Sequence, residues 1–495
     1  MPKHTLSKIV IILAFLVGVV AIIFTQFATP TLYGTDSYLH IRMAELIKNS
    51  GPLNEFHWAK FSVFSKYFAD KEFLYHVILI PFTLAPDIFF GAKLASCFFG
   101  VLFLFIFFFL LRKYVSTSLI PIFILAVLFS ANFLCSLSIT RPMTLAISLS
   151  LLAAYFLIEK RLWAIGIITV IYCLSHVSGP YILFYALATE TVRYIAKREF
   201  YSKSLIVVSF SILLAYLIHP NFPNNFLAFY LNGVLIPVQG LKGAFELGGE
   251  HLPLTTRELL TNYPLIIPGM LLILLLSIFS GAKTRFVTQV LAVYSTIFLL
   301  LSFVSHRYIV HSYPFILLFI ASYLSDYLRG DSAFGAFAKN RFLTFGSMAT
   351  LSLLAIALAF KTVADIDLYA AFFEKRNGHY ERMGEWMAEN IPKGELMFHT
   401  GWIDSSFFIG INPKNDYFLA LHPIYMYWGE REIYNLYKRL SWGQVRDPYS
   451  VLKYVFRVNY GYARKDYSLS RQIKDDERFK ILKEDAKGFI FKLIK

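Results

Sequence analysis

The chain has 495 residues, of which 57% are hydrophobic and only 16% are charged. Soluble globular proteins carry about 25% charged residues, so this composition excludes an ordinary soluble protein and indicates an integral membrane protein. The net charge of +15 would also suit a nucleic-acid-binding protein, but the basic residues fall between hydrophobic segments, as the positive-inside rule describes. We therefore expect membrane lipids, and no nucleic acid, among the partners.

Apolar segments long enough to form membrane helices recur along the first 360 residues. About 20 apolar residues are needed to cross a bilayer, and the first segment is long enough to be a retained helix rather than a cleaved signal peptide. The stretch 73–90 is also apolar, but Pro81 and Pro86 interrupt it, so we interpret it as an interfacial or re-entrant helix. The sequence thus predicts about eleven transmembrane helices, near 7–29, 91–111, 117–138, 143–158, 162–175, 178–195, 204–218, 263–280, 286–304, 308–325 and 343–360.

The distribution of Lys and Arg predicts the side of the membrane on which each connection lies. With a cytoplasmic N-terminus, the inner connections are short and basic, and the outer connections after the first loop contain only Arg141, Lys242, Arg257 and Arg307. An odd number of spans then places the C-terminal region outside. We expect a multi-pass protein of the plasma membrane with a cytoplasmic N-terminus and an extracytoplasmic C-terminal domain.

The predicted domains are a transmembrane domain, 1–361, with long outer loops at 30–90 and 219–262, and a small α/β domain, 362–495. In the second domain, GELMFHTG, DYFLALH, YVFRVNYGYA and GFIFKLI are typical of strands, and EREIYNLYKRL and DPYSVLKY are typical of helices. The segment ERMGEWMAENIP predicts an amphipathic helix that ends at Pro392. This alternation indicates an α/β fold.

Carboxylate and histidine side chains recur at helical spacing at both ends of the first outer loop. Asp36 follows a threonine suited to a helix N-cap, and Asp36 and His40 share one helix face because they are four residues apart. Glu72 and His76, just after Asp70, repeat this spacing. If the two pairs converge, they either bind a divalent metal or position a base and a phosphate ligand. The pattern fits a solvated interface equally well.

Eight of the 12 histidines map to the predicted outer loops or outer helix ends, which indicates a polar cavity that handles anions on that side. They are His40, His57, His76, His176, His219, His251, His306 and His311.

Two outer arginines are candidates for binding a phosphate. Arg141 lies in the turn SITRPMT, and Arg307 lies just before a span, between His306 and His311. Arginine at a membrane edge either extends its charge to the interface or binds phosphate through two parallel hydrogen bonds. We predict phosphate binding for Arg307 and leave both interpretations open for Arg141. The segment GGEHLPLTTREL in the second outer loop suits either a loop over the site or a solvated edge.

The segment DSYLHIR, beginning at Asp36, resembles the DxYxHxR stretch that follows the first helix of archaeal oligosaccharyltransferase catalytic subunits. The whole layout, with an acidic outer loop after the first helix and an outer C-terminal domain, resembles the GT-C glycosyltransferase superfamily. The WWDYG acceptor motif is absent, since WID at 402–404 and SWG at 441–443 are poor counterparts, and the SITRP loop lacks a second acidic pair. A monosaccharide transferase, or a GT-C member of unassigned acceptor, therefore fits better than a protein N-glycosylation enzyme.

The resemblance implies an all-α, polytopic GT-C-like bundle with a small C-terminal α/β extracytoplasmic domain. It implies an inverting transferase of the cell envelope that moves a hexosyl or pentosyl group from a polyprenyl-(di)phosphate to a lipid, glycan or protein acceptor on the outer face. Asp36 would be the key catalytic or metal-binding carboxylate, and Arg307 would hold the donor phosphate. The candidate residues are Asp36, Asp70 and Glu72 for catalysis, His40, Arg141, His306 and Arg307 for substrate binding, and Asp36, His40, Glu72 and His76 for a divalent cation such as Mg²⁺ or Mn²⁺.

A lipid or polysaccharide transporter or flippase is the alternative. It requires a polar path that reaches both faces of the membrane, whereas the titratable residues here stop at the outer face. The sequence lacks the GxxxxGK[ST] motif that would indicate an ATP-driven pump. It also lacks the HExxH and GxSxG motifs that would indicate a hydrolase. A polymerase resembling the O-antigen ligases would place its main outer loop late in the chain, whereas this acidic loop follows the first helix.

Overall fold

A computed structural model describes residues 3–236, 246, 248–280, 283–329 and 341–494. Within these ranges the chain is mostly helical and carries a small five-stranded sheet near its C-terminal end. Part of the second outer loop predicted at 219–262 lies outside the described residues. The predominantly helical fold expected from the apolar segments is confirmed.

Three described helices are long and apolar enough to cross a membrane: Ser7–Phe27, within the helix Lys3–Phe27, together with Ile88–Tyr114 and Arg307–Arg329. The number rises to five if two bent pairs each form one span. Ile120–Phe129 and Ala131–Leu137 meet at 86°, and Thr256–Asn262 meets Ile266–Ile278 at 93°. Length and apolar composition therefore identify three to five spans in the described part of the chain, fewer than the predicted eleven.

The remaining apolar segments form shorter helices, which fall below the length of a straight span. The segment 73–90 is interrupted as expected, because an α-helix over Phe73–Leu79 gives way to a 3₁₀ turn over Ile80–Leu84. The other helices of this part are Asp36–Ser50, Met143–Ile158, Leu162–Ser175, Tyr181–Lys197, Ser202–Leu217, Asn224–Phe229 and Phe286–Ser302.

One helix, Arg341–Asn390, replaces two predicted ones. The last predicted span, 343–360, and the amphipathic segment ERMGEWMAENIP are parts of this 50-residue helix. It ends before Pro392, as predicted, because the proline ring disfavours helical geometry at the residue that precedes it. The proposed domain boundary at 361/362 falls inside it, and the division into two domains stays a prediction.

The sheet combines parallel and antiparallel strands in the order β2-β1-β3-β5-β4. The strands are β1 Leu396–His399, β2 Asp416–Tyr417, β3 Tyr460–Arg464, β4 Phe479–Glu484 and β5 Gly488–Leu493. β1 pairs in parallel with β2 and β3, and β5 pairs antiparallel with β3 and β4. Helices Asp404–Ile411, Pro423–Gly429, Arg431–Ser441, Pro448–Ser450 and Leu469–Lys474 connect the strands.

Two buried apolar clusters position the first outer loop. One lies among the apolar helices, and the other joins that loop to the sheet region, so that Tyr38 and Ile41 share a core with Phe398 and Tyr417. Helix Asp36–Ser50 consequently lies against helix Asp404–Ile411. Residues near the two ends of the chain therefore meet beside Asp36.

The close approach of these two helices depends on Gly410. A Cβ atom at this position would lie 2.6 Å from the Cβ of Tyr38, and the Gly410 carbonyl accepts a 2.8 Å hydrogen bond from Arg42 Nε. We expect Gly410→Ala to destabilise the protein by about 1–3 kcal/mol, because overpacking forces the two backbones apart. Thermal unfolding of the purified protein in detergent measures the effect as a lower Tm.

Gly378→Ala is the matched control. Its Cβ would meet only ordinary contacts, at 3.5 Å from Arg382 and 3.9 Å from Thr31, within a helix that alanine favours. Its Tm should be unchanged or higher. Equal melting temperatures for Gly410→Ala and the wild type would refute the proposed tight packing.

Candidate functional site

The loop after the first helix is fixed against the SITRP turn. Tyr33 forms an isolated parallel β-bridge with Ile139. The hydroxyl of Ser37 donates to the Tyr33 carbonyl at 2.6 Å and accepts from the Thr140 amide at 2.8 Å. These contacts hold the start of helix Asp36–Ser50 beside the SITRP turn. Asp36 and Arg141, which are more than a hundred residues apart in sequence, therefore line one cavity.

A glycine makes this arrangement possible. Gly34 has a φ of +69°, and a Cβ there would lie 2.9 Å from Cγ2 of Ile139. Any other residue would be strained in this left-handed conformation and would also push the two turns apart. The helix that follows begins at Asp36, with Thr35 at the predicted N-cap position, although the Thr35 side chain caps no described amide.

All the predicted site residues except His306 converge on one cavity of about 1090 Å³, which we call the central cavity. Residues from both ends of the first outer loop, from the SITRP turn, from the second outer loop and from the sheet region line it. Its polar and charged lining includes Asp36, His40, Asp70, Lys71, Glu72, His76, Arg141, His176, Glu250, His251, Arg307, Ser406, His422 and Tyr425.

The Asp36 carboxyl group faces a charged environment inside this cavity. Burial and the nearby charge of Glu250 raise its pKa, while Arg141, Lys71 and Arg307 act in the opposite direction. Among the described residues, none donates a hydrogen bond to this carboxylate. Asp36 is therefore a carboxylate with an elevated proton affinity that is available to a ligand in the cavity.

Three buried side chains form a hydrogen-bonded chain beside Asp36. Nδ1 of His76 lies 2.7 Å from Oδ2 of Asp70, and Nε2 of His76 lies 2.8 Å from Nδ1 of His40. Burial, together with the charge of neighbouring basic groups, lowers the pKa of His40, so that its imidazole is held neutral near pH 7. The chain Asp70–His76–His40 fixes both imidazole rings at the cavity wall.

The predicted pairing of Glu72 with His76 is wrong. His76 contacts Asp70 instead, and the Glu72 carboxylate forms a 3.0 Å ion pair with Lys71. The i, i+4 argument failed because Glu72 lies at the N-cap of helix Phe73–Leu79, where the backbone leaves helical geometry. Although burial alone would lower it, the pKa of Lys71 is raised because Glu72 more than offsets that effect.

The predicted metal-binding set does not assemble. Both ring nitrogens of His76 are engaged, one with Asp70 and the other with His40. Over the described ranges, no three His, Cys, Asp or Glu side chains are arranged to hold a metal ion. Asp36, His40, Glu72 and His76 therefore share the central cavity, and their role as metal ligands stays a prediction.

Arg141 and Arg307 converge on one carboxylate. Glu250 lies 3.1 Å from Nη1 of Arg141 and 3.4 Å from Nε of Arg307. Burial opposes ionisation of Glu250, but the charges of Arg307, Arg141 and His251 together hold its pKa well below the usual range. Nε of Arg141 is buried and has no hydrogen-bond partner among the described atoms. The two guanidinium groups thus form an anion site with unused donor capacity.

Two further cavities meet the central cavity at Arg307. One of them, of about 930 Å³, has apolar and aromatic residues such as Tyr181, Leu301 and Tyr308 in its lining, together with His311. We call it the membrane-side cavity, after the predicted topology. An outer cavity of about 1260 Å³ contains Asp36, Arg141, Glu250, His306, Arg307 and Arg376. His306, predicted to bind substrate, therefore lies on the outer cavity and not on the central one.

The structure adds residues that the sequence did not single out. Lys71, His422 and Tyr425 line the central cavity, and the last two come from the sheet region. Lys71 could have been noticed because it stands between two candidate carboxylates in ADKEF. No local pattern marks the other two, since their position depends on how the sheet region packs against the first loop.

No protein-family model and no curated protein matches the chain, but several solved structures share its fold. The apo oligosaccharyltransferase of Archaeoglobus fulgidus aligns with a TM-score of 0.67 at 14% identity, over 93% of this chain and 70% of that one. ArnT of Cupriavidus metallidurans, solved with undecaprenyl phosphate, aligns with a TM-score of 0.61 at 11% identity, over 97% of both chains.

A third similar structure is the arabinofuranosyltransferase AftD from mycobacteria, with a TM-score of 0.54 at 11% identity, over 99% of this chain and 41% of that one. The Archaeoglobus enzyme has also been solved with Zn and sulfate. All three proteins are GT-C superfamily glycosyltransferases. The resemblance seen in the DSYLHIR segment is thereby confirmed at the level of the fold: the chain has the architecture of the GT-C glycosyltransferases.

Proposed function

We propose that the chain is a membrane glycosyltransferase that moves a hexosyl or pentosyl group from a polyprenyl-(di)phosphate donor to an acceptor at the outer face. The observation that carries this proposal is the presence of Asp36 and Arg307 in one cavity, next to a second cavity that is largely apolar. A carboxylate near a cationic group suits the separation of an acceptor proton from a leaving phosphate. The GT-C fold adds support.

The donor would enter through the membrane-side cavity. Its apolar lining suits a prenyl chain, while Arg307 at the junction with the central cavity suits the phosphate. The free Nε of Arg141 would add a second phosphate contact. Structures of the Archaeoglobus enzyme with dolichol-phosphate and of ArnT with undecaprenyl phosphate support a lipid of this class.

Asp36 would act as the general base. Its carboxylate would accept the proton of an acceptor hydroxyl while the acceptor oxygen bonds to the anomeric carbon and the bond from that carbon to the phosphate oxygen breaks. Attack from the face opposite the phosphate inverts the anomeric centre. Arg307 and Arg141 would stabilise the negative charge of the departing phosphate. The hydrogen bonds that link Asp70, His76 and His40 would hold the two imidazole rings in place beside the base.

The membrane arrangement is part of the same proposal. We propose about eleven membrane-crossing segments, including bent and short ones, with the N-terminus in the cytoplasm. Residues 362–495 would then form an extracytoplasmic domain that covers the site. The basic inner connections and the clustering of the cavity residues in predicted outer loops support this orientation. The acceptor would be a lipid, a glycan or a protein of the cell envelope.

Transfer and translocation can be separated with protein reconstituted in liposomes. Synthetic polyprenyl-phosphate and polyprenyl-diphosphate sugars, labelled in the sugar, are added with a crude envelope extract as the acceptor source. We expect the label to move to a new product and the free lipid carrier to accumulate in the same amount, as polyprenyl phosphate from the phosphate donor and as polyprenyl diphosphate from the diphosphate donor. Movement of intact donor across the bilayer without cleavage would support the flippase alternative and overturn the proposal.

The pH dependence of transfer tests the role of Asp36. Activity should fall at low pH, because only the ionised carboxylate can accept a proton. Burial and the charge of Glu250 raise the pKa of Asp36, so the acidic limb should lie above the ordinary aspartate value of about 3.9. Glu250→Gln removes one of the charges that raise this pKa. The limb should therefore move to lower pH in a profile of kcat at saturating donor.

The control for this profile is Glu55→Gln, which removes an exposed carboxylate from the same outer loop. Its acidic limb should coincide with that of the wild type. An acidic limb that stays in place or moves to higher pH in Glu250→Gln would show that Asp36 is not the titrating group.

A further inference from the structure

A second charged hollow lies beside the site, between the 50-residue helix Arg341–Asn390 and the sheet. This basic pocket has a volume of about 1310 Å³, and the proposed function does not use it. Aromatic rings and basic side chains dominate its wall. They include Phe372, Lys375, Arg376, His379, Phe407, Tyr462, Arg464, Lys465 and Lys487.

Some of these cations already have carboxylate partners. Arg464 pairs with Asp466, and Lys465 lies 2.6 Å from Glu484. Nδ1 of His379 lies 2.5 Å from Asp485. These groups therefore contribute little uncompensated charge to the pocket.

Three cations in the pocket have no such partner. Within the described ranges, no carboxylate oxygen lies within ion-pair distance of Lys375, Arg376 or Lys487. Nζ of Lys487 donates a 2.8 Å hydrogen bond to the Lys375 carbonyl, which holds the two lysines together. Burial, followed by the charges of Lys375 and Arg376, lowers the pKa of Lys487. Folding thus brings like charges together, an arrangement that an anion would relieve.

Arg376 is held in place and faces two cavities. Its guanidinium lies 5.4 Å from the Phe372 ring centroid, 5.1 Å from Phe373 and 5.6 Å from Phe407. Cation–π contacts of this kind restrict a long side chain that would otherwise move freely in solvent. Arg376 lines both the basic pocket and the outer cavity that contains Asp36. Ile403 lines both as well.

We propose that the basic pocket binds a phosphate group of the acceptor, so that the acceptor extends from Lys375, Arg376 and Lys487 past Ile403 to Asp36. This inference rests on the proposed function, and it names the acceptor class as phosphate-bearing. Arg376 supplies a planar guanidinium suited to bidentate phosphate contacts, and the lysines supply adjacent point charges. The donor phosphate occupies a different place, at Arg307.

Binding measured without any donor tests the pocket independently of transfer. The full chain in phosphatidylcholine nanodiscs is titrated with ³²P-labelled inorganic phosphate, with glucose 1-phosphate as a competitor. The double variant Arg376→Gln/Lys487→Gln should weaken phosphate binding at least tenfold. Lys480→Gln, which removes an exposed lysine from the edge strand β4, should bind as the wild type does. Equal affinity of the double variant and the wild type would overturn the proposal.

Two further arms identify the source of the phosphate and separate the two proposals. If nanodiscs containing phosphatidic acid abolish the binding of inorganic phosphate to the wild type, the phosphate group belongs to a lipid; if binding persists, it belongs to a water-soluble or glycan-linked acceptor. If the protein binds phosphate in this pocket but shows no transfer activity, the phosphate site is supported and the proposed glycosyltransferase function is contradicted. If the double variant transfers sugar with an unchanged KM for the acceptor, the pocket does not bind the acceptor, but the proposed transferase function is unaffected.

Discussion

Replacing Asp36 by Asn should lower the rate of sugar transfer by about 10²–10⁴-fold, the usual contribution of a positioned general base. The amide has nearly the shape of the carboxylate but cannot accept the proton of an acceptor hydroxyl. The cavity should persist, because no described side chain forms a hydrogen bond with the Asp36 carboxylate. The start of the helix is held instead by the hydrogen bonds of Ser37 with Tyr33 and Thr140. Initial rates with labelled donor at saturating concentration measure the effect.

The loss should appear in kcat and leave donor binding nearly intact. Glu55→Gln, in the same outer loop, controls for a general effect of removing a negative charge and should retain full activity. Full transfer by Asp36→Asn would exclude this residue as the base and would move attention to Asp70 or Glu72, the other carboxylates of the central cavity.

Replacing Arg307 by Gln should reduce kcat/KM for the donor by about 10²–10³-fold, the range seen when one group that stabilises a developing negative charge is removed. Arg307 lines the central, membrane-side and outer cavities, so a phosphate at their junction must contact it. Its Nε lies 3.4 Å from Glu250, and a guanidinium stays protonated in proteins, so the group is a permanent cation.

Arg307→Lys distinguishes simple charge from bidentate geometry. It should recover only part of the activity, because an ammonium group cannot form two parallel hydrogen bonds to a phosphate. Arg257→Gln is the control, since Arg257 is exposed on the earlier helix Thr256–Asn262. If Arg307→Gln keeps the wild-type kcat/KM, the donor phosphate lies elsewhere.

The sequence predicted which residues share a cavity better than it predicted the lengths of the membrane helices. Charge and spacing selected Asp36, His40, Arg141 and Arg307, which line the central cavity, because predicted outer loops of a membrane protein have few reasons to carry such groups. Their roles stay predictions. The sharp bend of 86° between Ile120–Phe129 and Ala131–Leu137 could not be predicted. The sequence of an apolar segment does not show whether its helix is straight or bent, because the bend depends on the residues that pack against it.

The contacts within the site required the structure. Asp70, and not Glu72, pairs with His76, because the first residues of this loop segment are not helical and periodicity does not apply to them. His422 reaches the cavity only because the sheet region packs against the first loop. In the sheet, β4 was missed because it is an edge strand whose sequence FKILKE is half charged, a common property of edges.

The position of a bound lipid phosphate tests the central claim most directly. A cryo-EM structure of the full chain in nanodiscs with undecaprenyl phosphate should place the phosphate within about 3 Å of the Arg307 guanidinium, at hydrogen-bond distance. The prenyl chain should then follow the membrane-side cavity past Tyr181 and Tyr308, with Asp36 facing the phosphate across the central cavity. A phosphate bound away from Arg307, or in the opposite leaflet near Arg285, would contradict the account.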